Sequence, residues 1–254
     1  MDKRKISKEF AAVILCAGTG SRIKNFTKKP KTLLKIGSKT IIERIILSLK
    51  KNNINNINIV TGYKSALLKK EIIKLLSAKL KVRFIKNKNP KKFGNTYSLY
   101  LGVKNLNQNT IIIDGDLVYE EKLIGSLQKQ KKDLLVVGQG KISDIECAKT
   151  LVDKKGLVKK TIDKRALYDY EKKKYKFIGE AIGLIRISKE SMYKFKSFCK
   201  YFLNKDTYKL NWEHFINYYT IKNKFYPYKI ANNFKWIEID TYSDYKKAKK
   251  IFNR

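Results

Sequence analysis

Three short stretches of the chain carry residue types suited to phosphate chemistry. The first is Leu15-Cys16-Ala17-Gly18-Thr19-Gly20-Ser21-Arg22, two glycines and an arginine directly after an apolar run. Glycines let a backbone approach a phosphate closely, and successive N–H groups can cradle an anion. The loop is not a dinucleotide fingerprint, because Ile23 stands where a third glycine belongs. It is not a Walker A loop either, because no Gly-Lys-Ser/Thr follows. The second stretch is Lys29-Pro30-Lys31-Thr32-Leu33-Leu34. Pro30 stiffens the chain just ahead of Lys31, which makes Lys31 a candidate charge clamp. The third is Asp114-Gly115-Asp116. Paired carboxylates beside phosphates suit Mg²⁺, which is commonly held by one or two carboxylates plus the phosphates themselves. Asp240, after Trp236-Ile237-Glu238-Ile239, could complete such a site or could cap the last helix, a role Ser243 fills better.

The elements that must position these residues read as a parallel α/β sheet. Residues 10–16 (FAAVILC) form an almost wholly apolar run, as a buried strand does. A helix is expected over 40–51, with Thr40 and Glu43 spaced as a capping box. Strands follow at 56–60, 82–85 and 110–113, alternating with helices at 65–76 and 96–106. Strand and helix in alternation with short links imply a parallel sheet, with ligands at the carboxyl ends of its strands. The glycine loop and Asp114-Gly115-Asp116 both fall at such ends. After about residue 132 the pattern turns β-rich, with strands at 134–137, 150–152, 157–162 and 181–187 and a hairpin turn at Gly156. Helices are expected at 188–202, 212–220 and 243–252, and strands at 225–230 and 235–239. With 3 prolines, no repeat and no low-complexity linker, residues 1–254 read as one domain. About 10–132 would form a first half of alternating strands and helices and about 133–254 a second half, richer in strands.

Composition narrows the function. The chain has 254 residues, enough for a full core, and a single histidine, His214, which argues against histidine metal sites and triad chemistry. Cys16, Cys147 and Cys199 are too few for a disulfide framework, and none forms a CxxC pair. No apolar run reaches the roughly 18 residues of a membrane span. The opening MDKRKISKEF is basic and has no apolar signal stretch after it, so a reducing, cytoplasmic setting is expected. The net charge is +36, but 51 of the 58 basic residues are Lys. Arginine is the side chain that forks onto phosphate and reads bases, and the lysines are spread along the whole chain. A solvated surface fits this better than a specific nucleic-acid interface, while the positive field would draw in anionic substrates.

Taken together, LCAGTGSR, the KPK-T-LL segment, the DGD strand end and a late EIDT segment resemble the nucleotidyltransferases that activate phosphorylated metabolites. The resemblance is closest to the bacterial phosphocholine cytidylyltransferases. Asn95-Thr96-Tyr97-Ser98-Leu99-Tyr100-Leu101 and Trp236-Ile237-Glu238-Ile239-Asp240-Thr241 carry it toward that branch. Cys16 departs from the alanine usual in the turn. The match covers 11–120 and 235–252 well and 140–230 only loosely.

The resemblance implies a Rossmann-like three-layer nucleotidyltransferase fold of the α/β class, with a mostly parallel central sheet and a small β-rich insertion. It implies that Ala17, Gly18, Gly20 and Arg22 hold the triphosphate of a nucleoside triphosphate, CTP in this branch. Lys31 bridges the attacking and α-phosphates, Asn95 and Ser98 lie near base and sugar, and Asp116 and Asp240 hold Mg²⁺. The acceptor would be a small phosphorylated or phosphono compound such as phosphocholine, activated for cell-surface polysaccharide or lipid decoration. Its head group is assigned to Trp212 and Glu213, with Glu180 as an alternative and Tyr201, Tyr208, Tyr218 and Tyr219 as further aromatics for a cage around a quaternary ammonium. The competing readings are a sugar-1-phosphate nucleotidyltransferase and, from another class, a basic nucleic-acid-binding protein. Oligomeric state and acceptor identity are left open by the sequence.

Overall fold

The computed structural model describes residues 9–252, so the basic opening segment 1–8 lies outside the described residues. In chain order the strands are β1 (Phe10–Cys16), β2 (Lys35–Ile36), β3 (Lys39–Thr40), β4 (Asn56–Thr61), β5 (Lys81–Lys86), β6 (Asn109–Asp114), β7 (Leu117–Tyr119), β8 (Leu134–Gly138), β9 (Lys149–Val152), β10 (Val158–Ile162), β11 (Lys176–Ile187), β12 (Tyr226–Lys229) and β13 (Trp236–Glu238). The helices are α1 (Ile41–Lys51), α2 (Ser65–Ile73), α3 (Asn95–Val103), α4 (Lys122–Gln128), α5 (Asp169–Lys174), α6 (Lys189–Phe202), α7 (Trp212–Lys222) and α8 (Tyr242–Phe252).

The main sheet runs β12–β8–β11–β6–β1–β4–β5. Only β11 runs against the others, so the sheet is mostly parallel. The amino-terminal half of β11 extends past the sheet and carries β9 and β10 as an antiparallel annex. This is the small β-rich insertion. Strand β1 shows why the sheet has two covered faces. Ala12, Ile14 and Cys16 face a core shared with α1, α2, α4 and α8, while Ala11, Val13 and Leu15 face a second core shared with α3, α6 and α7. A strand apolar on both faces has no solvent side, so it reads as an unbroken apolar run.

Local signals explain most boundaries. The Thr40 hydroxyl accepts from the Glu43 N–H while the Glu43 carboxylate accepts from the Thr40 N–H, closing the capping box at α1. Ser188 caps α6 by accepting from Ser191 N–H. Helix α2 ends at Ile73 rather than 76, where Leu75 and Leu76 bond back in a tighter turn. Strand β11 is twelve residues long rather than seven, and it absorbs residues 176–180. Helix α8 is capped neither by Ser243 nor by Asp240: Thr241 accepts from Asp244 N–H and Asp244 accepts from Thr241 N–H. Strand β7 and helices α4 and α5 have no counterpart in the sequence reading. All three cysteines are free and buried. Among the described residues no helix is long and apolar enough to cross a membrane.

Gly102 fixes how closely α3 lies on the sheet, and α3 carries Asn95 and Ser98. A Cβ at Gly102 would strike Val13 Cγ1 and come within 3.1 Å of Val60 Cγ2. Gly102→Ala should therefore lower stability by about 1–3 kcal/mol through overpacking. The check is the chemical-denaturation midpoint, and an unchanged midpoint would show that α3 is free to shift.

Candidate active site

The chain leaves β1 at Cys16 and turns over the sheet edge. Gly20 is left-handed (φ 59°, ψ 44°) and begins a single 3₁₀ turn, Ser21–Ile23, that aims Arg22 back across the edge. Gly18 has an ordinary φ, so its backbone does not require glycine. A Cβ there would meet nothing within 4 Å and would project into open space. The absent side chain leaves a cradle over the strand end. After Pro30 a second 3₁₀ turn, Lys31–Leu33, holds Lys31 below this loop.

Lys31 is the hub. Its ammonium lies 2.5 Å from Asp116 Oδ2 and 2.7 Å from Asp240 Oδ1. Burial opposes its charge, but the two carboxylates outweigh burial and hold its pKa above the ordinary lysine value. Arg22 donates to Asp240 Oδ2 at 2.6 Å and to Glu146 Oε2 at 3.1 Å. Asp114 and Asp116 reach the site because Gly115 packs against β1, where a Cβ would come within 2.6 Å of Cys16 Sγ.

Glu238 joins them and was missed from the sequence. Glu238 and Asp240 are two residues apart where β13 ends, and period-two spacing puts both on one side. Oxygens of Asp116, Glu238 and Asp240 all lie within 4.8 Å of one another, and the buried Asp116 Oδ1 has no hydrogen-bond partner. Such a set of hard oxygen donors with a free lone pair fits a divalent cation such as Mg²⁺. Burial, then the neighbouring carboxylates, push Glu238 well above the usual range. Burial and Asp116 push Asp114 up to about 8, against the Trp212 indole N–H that donates to Asp114 Oδ2 at 3.0 Å. Burial acts the same way on Asp240, but Lys31 and Arg22 outweigh it and hold Asp240 below its ordinary value.

A cleft opens on either side of this centre. One lobe, of about 260 Å³, runs from Ala17 and Gly18 to Asn95 and Ser98 at the start of α3. Asn95 Oδ1 accepts from the Trp212 N–H at 2.7 Å, and Ser98 Oγ accepts from Asn87 Nδ2 at 3.1 Å. The other lobe, of about 330 Å³, runs to Glu180, Trp212 and Glu213 and is walled by Asp163 and Lys164. Glu180 lies inside β11 rather than ahead of it, and burial, reinforced by Asp144, raises it to about 7. Burial raises Glu213 to about 8, with Asp163 adding to the shift, and Glu213 Oε2 has no partner.

The aromatic cage expected from the sequence does not assemble. Tyr201 faces solvent, Tyr219 belongs to the core, Tyr218 packs on Phe198 and Phe202, and Tyr208 packs on Phe93 and Tyr97. Trp212 itself is only 2% exposed. His214 is exposed. The loop residues, Arg22, Lys31, Asp116, Asp240, Glu180, Trp212 and Glu213 do share one cleft, with Asn95 and Ser98 in the adjoining lobe.

Lys164 is a third cation of the cleft, and sequence reasoning overlooked it. It is left-handed at φ 52°, a conformation uncommon outside glycine. Its turn is pinned from behind by Glu171, which is fully buried. Glu171 accepts from both Arg165 guanidinium nitrogens (2.8 and 2.9 Å), from Lys160 (3.1 Å) and from Tyr168 N–H (3.0 Å).

Fold and site together define an α/β protein that presents a glycine-loop anion cradle against an acidic, metal-ready centre. Residues 12–144, just over half of the chain, match the MobA-like NTP transferase domain, and the chain belongs to that family. It is 40% identical over 106 residues to a choline-phosphate cytidylyltransferase of Streptococcus pneumoniae, covering 41% of this chain and 44% of that protein. It is 32% identical over 127 residues to one of Haemophilus influenzae, covering 50% and 52%. The chain thus matches about half the length of these curated relatives. In overall fold it resembles the CTP:phosphocholine cytidylyltransferase of Streptococcus pneumoniae (TM-score 0.76, 23% identity, 96% of this chain and 99% of that one). It likewise resembles the inositol-1-phosphate CTP transferase of T. maritima (TM-score 0.74, 18% identity, 96% of this chain).

The Glu171 cluster gives a pH signature. Its bonds to Arg165, above all, draw the carboxyl from 4.5 to about 2. A depressed carboxyl pKa contributes stability above the unfolded value, and the contribution is lost as pH falls through the folded value. Glu171→Gln should therefore lower the melting temperature at neutral pH. The gap to the unsubstituted protein should close between about pH 4.5 and 2. A gap that stays constant over that window would assign the loss to packing instead.

Proposed function

We propose that this chain is a Mg²⁺-dependent nucleotidyltransferase that joins a nucleoside triphosphate, CTP, to a small phosphorylated or phosphono acceptor and releases pyrophosphate. The observation that carries this reading is the convergence of Lys31, Asp116 and Asp240 directly beneath the glycine loop. Membership of the NTP transferase family supports the reaction class. The substrates for which these relatives are named support CTP and an acceptor such as phosphocholine. A nucleoside triphosphate substrate fits a cytoplasmic setting.

In this mechanism the triphosphate rests on the backbone N–H groups around Ala17, Gly18 and Gly20, with Arg22 on its outer oxygens. Base and sugar enter the lobe at Asn95 and Ser98. Asp116, Glu238 and Asp240 would hold Mg²⁺, which when bound offsets the charge that builds on the reacting phosphates. Lys31 stands between the two lobes, where it can touch the acceptor phosphate and the α-phosphate together and align them. An acceptor oxygen attacks the α-phosphorus, the bond to the bridging oxygen breaks, and pyrophosphate leaves. A phosphomonoester has a second pKa of about 6, so the nucleophile is already ionised at neutral pH and no general base is needed. A cleft with several clamps and, among the described residues, no histidine in its lining suits a reaction limited by alignment and charge.

The first test is pyrophosphate release with Mg²⁺, crossing four nucleoside triphosphates with phosphocholine, 2-aminoethylphosphonate and several sugar 1-phosphates. Release with CTP and an amine-bearing acceptor is expected. Release only with a sugar phosphate would keep the mechanism and discard the acceptor class, and silence throughout would sink the reading. Asp116→Ala and Lys31→Met should each slow release by on the order of 10²- to 10⁴-fold with circular dichroism unchanged. Chelation should abolish release and added Mg²⁺ restore it. Turnover that persists in excess chelator would remove the metal from the scheme.

A further inference from the structure

The acceptor lobe differs from the rest of this molecule in the sign of its charge. The chain has 58 Lys and Arg against 22 Asp and Glu. Yet among the described residues this lobe and the centre it adjoins are lined by eight carboxylates and three cations, Arg22, Lys31 and Lys164. Three of the carboxylates belong to the metal set and Glu146 is paired with Arg22. What is left faces the acceptor end, and one carboxylate oxygen there has no hydrogen-bond partner. Glu213 sits on the first turn of α7, and its buried Oε2 has no hydrogen-bond donor. The nearby carboxylates of Asp163 and Asp114 already accept from Asn211 Nδ2 and the Trp212 indole N–H. A buried acceptor without a donor is costly, so this atom is shaped for a donor that arrives with the substrate.

The kind of cation follows from what surrounds that atom. A quaternary ammonium has no N–H and is held by open aromatic faces. Among the described residues Trp212 is the one aromatic lining this lobe, and it is packed into the core with its N–H spent on Asp114. A primary ammonium has three N–H donors and needs carboxylate acceptors instead. From the unpartnered Glu213 oxygen and the missing aromatic faces we infer that the acceptor bears a primary ammonium, on a short chain from its phosphate or phosphonate, and that Glu213 is the residue that selects it over a quaternary one. This rests on the transferase reading above. The lobe then takes a zwitterion end to end: phosphate toward Lys31, Arg22 and Lys164, and ammonium toward Glu213 and Asp163.

The test is a methylation series at fixed CTP and Mg²⁺: phosphoethanolamine, its N-methyl and N,N-dimethyl forms, and phosphocholine. Each methyl removes one N–H and adds bulk against a carboxylate. kcat/KM should fall along the series and be on the order of 100-fold lower for phosphocholine than for phosphoethanolamine. Glu213→Gln should flatten the series, acting through the KM for the acceptor rather than for CTP. Phosphocholine turned over as well as phosphoethanolamine by the unsubstituted protein would overturn the inference while leaving the transferase standing. A preference that survives Glu213→Gln would remove Glu213 as its cause. Calorimetric titration with the same four compounds separates the remaining case. Graded binding without pyrophosphate release would sink the transferase and keep the ammonium site, and no graded binding would sink the ammonium site too.

Discussion

The structure is organised around one ammonium between two carboxylates. Lys31, from the loop after β1, is clasped by Asp116 beyond β6 and by Asp240, which lies 209 residues away along the chain. Four acidic side chains, Asp114, Asp116, Glu238 and Asp240, are gathered here, and burying like charges together is unfavourable unless cations or protons offset them. Lys31 and Arg22 supply part of the offset, and protons the rest, since Asp114 and Glu238 are pushed up. The packing admits little relief. Gly115 lies tight against Cys16, and a Cβ at Gly183, itself left-handed at φ 69°, would come within 2.8 Å of Asp114 Oδ2. The centre is therefore a preformed deficit of positive charge, which is the state a phosphate-transfer site needs before its metal and substrate arrive.

That clasp also explains why the carboxyl-terminal segment matters to a cleft whose glycine loop, Lys31 and Asp116 come from the first half of the chain. β13 pairs with β7 immediately after Asp116, so Glu238 lies across from Leu117 in register. Thr241 and Asp244 then cap α8 and fix the direction in which Asp240 leaves the strand. Phe26, on the loop between Arg22 and Lys31, packs at a tilt against Tyr242 and Tyr245 of α8, with ring centroids 4.5 and 5.1 Å apart. The glycine loop and the last helix are thus held as one body, and Arg22 meets Asp240 because both of their supports are anchored to each other.

What could be read from the sequence divides along physical lines. Strand β1, the capping box of α1 and the positions of Asp114 and Asp116 rest on local signals: an apolar run, a three-residue spacing, a strand end. Those signals survive folding because tertiary context reinforces them. Glu238 carried the same kind of signal, a two-residue spacing to Asp240, but a single glutamate inside a strand-like segment is not by itself a ligand signal. β11 was only half legible because Gly179 and Gly183 sit at irregularities in its pairing and interrupt the side-chain alternation. The glycines are there for close approach, since a Cβ at Gly179 would strike the Gly138 carbonyl. Lys164 and Glu146 reach the cleft from loops, and only the pairing of β9, β10 and β11 puts those loops there. The tyrosines misled for a related reason: helical spacing makes a core stripe and a ligand cage look alike, and Tyr219 took the core.

The charge of the chain is best understood as two separate fields. At long range a +36 molecule draws anions, and spread lysines suffice for that because the effect depends on total charge more than on placement. At short range the cleft reverses the sign. Among the described residues eight acidic side chains line it, with three cations. Solvated surface acids would be scattered among the lysines that surround them, so such concentration marks a site where positive charge must be received. The cations that remain there are placed rather than plentiful: Arg22 and Lys31 on turns set by Gly20 and Pro30, and Lys164 on a turn held by the buried Glu171 cluster. An abundant residue carries information where its backbone is fixed against the cleft, as it is for these three basic side chains.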